Sequence, residues 1–187
     1  MYVSSERRMV YLASPKTATK ATKEYLRLFG FHKTGTHHDT LTAHPTGDWT
    51  VFTTVRNPWD LWVSWFYYSG YRMGTFSVTW LKAWRRQQGA YYPYPNNLFG
   101  FYTQYADRIL RFETLQDDLH DLLGDYPGYE GYDVQLPRVN IGANRLTQRG
   151  PGTEEYHYHE EYEKHPKTRE YIAKTYAEEI EKYGYEY

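Results

Sequence analysis

The sequence predicts an α/β fold with a central parallel sheet between helices, three layers deep, built as a single domain over residues 1–187. Three observations predict it. Short apolar runs alternate with stretches of helical period, the first two runs pass through a polar turn straight into a helix, and the length suits one hydrophobic core.

The first run, Met9 to Ala13, stops at Ser14-Pro15 and reads as a buried strand. From Thr19 the pattern turns helical, with Thr22, Tyr25, Leu26 and Phe29 on one face and Gly30 as terminator. Thr50 to Val55 is the second strand. Asn57 then caps a helix that has Pro58 in its first turn and Trp59, Trp62, Val63 and Phe66 on its apolar face. Val78 to Gln88 predicts a third helix and Ile109 to Phe112 a third strand. In "ETLQDDLHDLLG", Thr114 and Asp117 have capping-box spacing, and Gly124 ends the apolar stripe. Gly124 to Thr153 reads as loop. Lys167 to Tyr183 predicts one closing helix with Ile172, Tyr176, Ile180 and Tyr183 on its buried face.

Composition narrows the function. With 22 Lys+Arg against 23 Asp+Glu, the formal net charge of -1 gives no bulk attraction to nucleic acid or an anionic membrane, so any anion site is local. The absence of cysteine removes disulfides, thiolate metal sites and cysteine nucleophiles, and fits a reducing compartment. No apolar stretch reaches the roughly 18 residues of a spanning helix, and the start is too polar for a secretory signal. A soluble, cytoplasmic protein is expected. The 22 tyrosines are expected to serve mostly in packing.

Chemistry concentrates at the two strand-to-helix turns. In a parallel sheet, ligands bind beyond the carboxyl ends of the strands, where a helix N-terminus offers unpaired N–H groups. "SPKTATK" occupies such a place. The amides of Thr17, Ala18, Thr19 and Lys20 can wrap a phosphate, the threonine hydroxyls can donate, and Lys16 can reach a second anionic group. A nucleotide phosphatase loop would carry the Walker glycines and an acid after an apolar strand. Here the glycines are missing and Val55 leads into Arg56, which binds anion and not metal. Ser64, eight residues on and about two helical turns along, can join Arg56 on one phosphate.

These residues carry a resemblance. "SPKTATK" resembles the 5′-phosphosulfate loop of sulfotransferases that use 3′-phosphoadenosine 5′-phosphosulfate (PAPS), and "TVRNPWDLWVSWF" resembles their 3′-phosphate motif. "RFETL", "LPRVN" and the ending "YAEEIEKYGYEY" are similar to carbohydrate-type members. The resemblance implies a sulfotransferase variant of the P-loop NTPase architecture, PAPS as the donor and a sugar hydroxyl as the acceptor. It places Lys16 on the bridging oxygen and sulfonate, Thr17 to Lys20 on the 5′-phosphate, Arg56 and Ser64 on the 3′-phosphate, and Phe112 beside adenine. Arg149, with Arg145 nearby, falls where related enzymes close basic residues over the 3′-phosphate. Ala18 departs from the commoner glycine and is tolerated if its φ is negative; Lys20 replaces a hydroxyl residue and adds charge.

Sulfuryl transfer needs a base for the acceptor proton, and "THHDTLTAH" offers His37, His38 and His44. His38 is favoured because carbohydrate-type relatives carry a histidine-led segment there, with His37 second and Glu24 or Asp39 behind. Tyr92 and Tyr94, in the aromatic tract "YYPYPNNLFGFY", are the expected sugar contacts. His157, His159 and His165 lack a recognised ligand spacing, so no metal is expected. Two other readings stay open at this point: an ATP-dependent small-molecule kinase with Glu113 as metal ligand, and a nucleotide-binding protein without catalysis.

Overall fold

The structure is a computed structural model and describes residues 1–36, 38–69, 74–89, 93, 96–124, 135–137 and 158–187. It is a mixed α/β protein. Its residues fall into two compact units, Met1–Val55 with Tyr102–Asn140, and Arg56–Phe101 with Ile141–Tyr187.

The first unit holds the sheet. Its strands are β1 (Tyr2–Ser4), β2 (Met9–Leu12), β3 (His32–Lys33), β4 (Thr50–Val55) and β5 (Arg108–Arg111), in the order β3-β1-β2-β4-β5. β2, β4 and β5 run parallel, with Val10 opposite Val51 and Val55 opposite Arg111. β1 and β3 add antiparallel pairs, so the sheet is mixed and the expectation of an all-parallel sheet is corrected. The reason lies in chain length. Only four residues join β1 to β2, with Arg8 at φ 51 in the turn, and so short a link permits only an antiparallel return. From β2 to β4 the chain has room for α1 (Thr19–Arg27) and returns parallel.

Every residue of β2, and all of β4 but its first, is buried, as central strands covered on both faces require. Tyr11 and Phe52 stack from adjacent strands at 5.2 Å, and Tyr25, Leu26 and Phe29 of the α1 segment join Leu115, Leu119 and Leu122 in the same core. α1 ends as predicted: Gly30 has φ 79 and Phe31 N–H returns to Leu26 C=O at 3.2 Å. The third strand begins one residue earlier than expected, although Phe112 N–H still donates to Val55 C=O at 2.8 Å. α5 (Leu115–Gly124) is anchored by Asp118, not Asp117. Asp118 accepts from Thr114 Oγ1 at 3.0 Å and from Arg111 N–H at 2.6 Å, tying the helix start to the end of β5.

The second unit is helical among its described residues, with α2 (Pro58–Tyr68), α3 (Val78–Gln87), α6 (His159–Lys164), α7 (Pro166–Thr175) and α8 (Ala177–Lys182); the four-residue α4 (Gly100–Thr103) lies at the units' sequence boundary. Asn57 caps α2 by accepting Trp59 N–H at 3.0 Å, as its position predicts. α2 is buried nearly all round; Trp80 meets Trp62 and Phe66 edge to face, and Phe76 packs on Phe66 at a tilt. The expected single closing helix is divided at Tyr176, whose φ is -116. Arg85 donates to the Tyr176 hydroxyl at 2.8 Å and Trp62 stacks on its ring at 6.2 Å, holding that residue off helical geometry. The apolar face runs through the break, which is why periodicity alone reads one helix.

Candidate functional site

The candidate residues form two groups, one in each unit. In the first, the chain leaves β2 at Ala13 and turns through Ser14 to Ala18 into α1. The turn is held from within. Ser14 C=O accepts the hydroxyl protons of Thr17, at 2.8 Å, and of Thr19, at 2.6 Å. Both threonines are buried, and these hydroxyls donate into the loop. Thr22 N–H makes the first helical bond, to Ala18 C=O at 3.1 Å. The amides of Thr19 to Ala21 precede it and have no helical acceptor, at the positive end of the α1 dipole.

Lys16 and Ala18 both lie in left-handed conformation, at φ 64 and 59. The condition for Ala18 to replace glycine without strain, a negative φ, is therefore not met. Residues in this conformation swing consecutive N–H groups toward one side, the arrangement of backbone anion nests, so an alanine here supports the same turn a glycine would. It does so under strain of about 1–2 kcal/mol, the usual cost of a left-handed L-residue. Ala18→Gly relieves that strain and adds about 0.4–1 kcal/mol of unfolded-chain entropy. The expected net is a stabilisation between about 0 and about 1.6 kcal/mol, read as an unchanged or raised thermal midpoint; a clear fall would remove the strain argument.

His38 sits beside the same loop. Its Nδ1 lies 2.6 Å from Ala13 C=O, three residues before Lys16, so the ring donates there and carries its lone pair on Nε2. Burial pushes the imidazole below its ordinary 6.5, outweighing the opposite effect of the Ala13 carbonyl. His44 is the contrasting case. Its Nε2 meets Asp107 at 2.8 Å and its Nδ1 meets Pro45 C=O at 2.8 Å, and these acceptors, Asp107 first, hold its pKa above 6.5. Of the two described histidines in this segment, His38 is the one whose pKa is lowered. Of the reserve carboxylates, Glu24 is engaged by Lys23 and Arg27, and Asp39 by the amide and hydroxyl of Thr36.

The second group begins at Arg56. Its guanidinium is buried and donates from Nε to Asp60 Oδ2 at 2.7 Å, linking the residue before the Asn57 cap to the first turn of α2. Ser64, half-buried, follows Asp60 by one further turn on the same face. The sequence reading of Arg56 and Ser64 passed over Asp60. The signal was present as the acid four residues after the arginine in "RNPWD". The pair also changes what a substitution means, because deleting one member of a buried ion pair strands the other at a cost of about 3–5 kcal/mol.

Phe112 is half-buried at the end of β5, and Glu113 is exposed. Lys16 is half-buried and Lys20 exposed. Two further residues escaped the sequence reading. Tyr11, fully buried on β2, points its hydroxyl at Thr54 Oγ1, 3.4 Å away, and Ser14 Oγ is buried with no partner among the described residues. Nothing in the sequence distinguishes either from ordinary core. His37, Tyr92, Tyr94, Arg145, Arg149 and His157 lie outside the described residues. His159 packs on Tyr158 at 4.1 Å and His165 on Phe76 at 5.9 Å, and no group of three metal-ligating side chains occurs among the described residues. Nor is any described helix long and apolar enough to cross a membrane. No protein-family model, curated protein or solved structure matches this chain.

Proposed function

We propose that the chain is a sulfotransferase that moves a sulfuryl group from PAPS to a hydroxyl of a carbohydrate. One observation supports this reading above the others: the turn after β2 brings Lys16 to the N-terminus of α1, while the carbonyl just before that turn fixes the His38 ring through Nδ1 and burial lowers that ring's pKa. In this reading the amides from Thr17 to Lys20 bind the 5′-phosphate, and Arg56 and Ser64 bind the 3′-phosphate. The acceptor oxygen attacks sulfur in line, its proton passes to His38 Nε2, and the bond from sulfur to the bridging oxygen breaks. The electron pair leaves with adenosine 3′,5′-bisphosphate, and Lys16 stabilises the charge that grows on that oxygen. The reading assigns no step to a metal.

The test compares nucleotides by thermal shift. Adenosine 3′,5′-bisphosphate is expected to stabilise the protein more than AMP, and a ligand at 100 times its dissociation constant adds about 2.7 kcal/mol. Because Arg56 neutralises Asp60, the informative variant is the pair Arg56→Gln with Asp60→Asn, which keeps a neutral hydrogen bond and removes both charges. It is expected to respond equally to the two nucleotides. Equal responses in the wild type would overturn the 3′-phosphate assignment, and a response only to ATP with magnesium would favour a kinase.

A further inference from the structure

Tyr11 puts a hydroxyl beneath the turn that follows β2. Its ring is fully buried, stacked on Phe52 at 5.2 Å and beside Tyr2 at 6.3 Å. The side chains that act on its phenol are those of Thr54 on β4, with the two oxygens 3.4 Å apart, and of Thr17, Thr19 and Thr22 in the turn and the start of α1. All four threonines are buried as well. Their protons can be placed. Thr17 and Thr19 donate to Ser14 C=O, at 2.8 and 2.6 Å, and Thr22 donates to Ala18 C=O at 3.2 Å. A hydroxyl has one proton, so toward Tyr11 these three oxygens only accept. Thr54 donating to Tyr11, and Tyr11 donating into the turn, is the arrangement that gives every one of these protons an acceptor. Burial pushes the phenol above its ordinary 10, so it keeps the proton it donates.

The turn needs holding. Lys16 and Ala18 both lie at positive φ, no side chain caps α1, and Ser14 Oγ is buried without a hydrogen bond. L-residues leave the left-handed region unless their surroundings impose it. We infer that Tyr11 is a positioning residue, which through its hydroxyl contacts to Thr17, Thr19 and Thr22 holds the turn in the left-handed shape that presents amides to an anion. The part of this inference that concerns the anion rests on the reading of the turn as a phosphate site; the part that concerns its shape does not.

Tyr11→Phe, Ala18→Gly and the two together, each in the full chain, test it. Phenylalanine keeps the ring on Phe52, and each threonine proton of the turn keeps its carbonyl, so the fold is expected to survive. Two quantities are read by NMR. One is the affinity for inorganic phosphate. The other is hydrogen exchange at Thr22 N–H, which bonds Ala18 C=O at 3.1 Å, relative to Phe112 N–H, which bonds Val55 C=O at 2.8 Å in the sheet. Tyr11→Phe is expected to weaken phosphate binding about tenfold, the population cost of a left-handed L-residue, and to speed Thr22 exchange about tenfold against Phe112. Glycine enters positive φ about as readily as negative, so with Ala18→Gly already in place Tyr11→Phe is expected to cost about threefold or less. A tyrosine that only fills the core would speed both amides alike and weaken phosphate binding equally with and without Ala18→Gly, and that outcome overturns the inference. So does wild-type exchange at Thr22 in Tyr11→Phe. A wild type that binds no phosphate overturns the reading of the turn as a phosphate site instead, and the exchange measurement then decides the role of Tyr11 by itself.

Discussion

Replacing Lys16 by alanine is expected to lower turnover about 10²–10³-fold, the usual loss when one preorganised stabiliser of developing charge is removed, while affinity for adenosine 3′,5′-bisphosphate changes only a few-fold. The asymmetry follows from when the charge appears. Before transfer, the bridging oxygen shares its electrons with sulfur; as the bond to sulfur lengthens, that oxygen becomes a phosphate oxygen with nearly a full negative charge, and only an interaction that strengthens along this path accelerates the step. The backbone makes alanine the right probe. Residue 16 has φ 64, which alanine and lysine occupy at similar cost, so Lys16→Ala removes the ammonium without relaxing the turn, whereas glycine would change both. Single-turnover transfer and product binding, measured on the same preparation, separate the two effects. Near-normal turnover would exclude Lys16 from the chemical step.

Much of this arrangement was legible in the residues, for reasons that can be named. β4 was read to the residue because Thr50 to Val55 is a run of β-branched and aromatic residues bounded by turn chemistry, and the α2 cap because Asn57-Pro58 leaves little choice. The antiparallel strands were not legible. β1 and β3 are three and two residues long, and β3 is exposed, so neither leaves a period to detect; their pairing is decided by the Arg8 turn and by where α1 delivers the chain. The same division holds at the site. Lys16, Arg56 and Ser64 stand out by spacing, but the left-handed Ala18 does not, because nothing in "KTATK" states a sign of φ once glycine is absent. Asp60 was hidden for a different reason: an acid in a first helical turn already has an ordinary explanation in the helix dipole, and only burial beside Arg56 gives it a second role.

Replacing His38 by glutamine is expected to reduce sulfuryl transfer about 10²–10⁴-fold, the range lost with a general base, with nucleotide binding unaltered. Glutamine keeps a polar side chain of similar length with an N–H donor, while the basic nitrogen is lost. The pH dependence supplies a second, independent mark. Burial holds His38 below 6.5, so the ring is neutral and able to accept a proton down to a pH below that value. The acid limb of kcat/KM for the free enzyme is therefore expected to have its midpoint under 6.5 and to vanish in His38→Gln. The linked stability has a definite sign: the unfolded chain binds the proton more readily, so the contribution is fully present above 6.5 and is lost as pH falls through the window between 6.5 and the lower folded value. His44 works in the opposite direction, since its raised pKa gives a contribution present below 6.5 and lost as pH rises through the folded value. An acid limb centred above 6.5 would point to a histidine paired with a carboxylate, as His44 is, and away from His38; an unchanged rate in His38→Gln would remove it from proton transfer altogether.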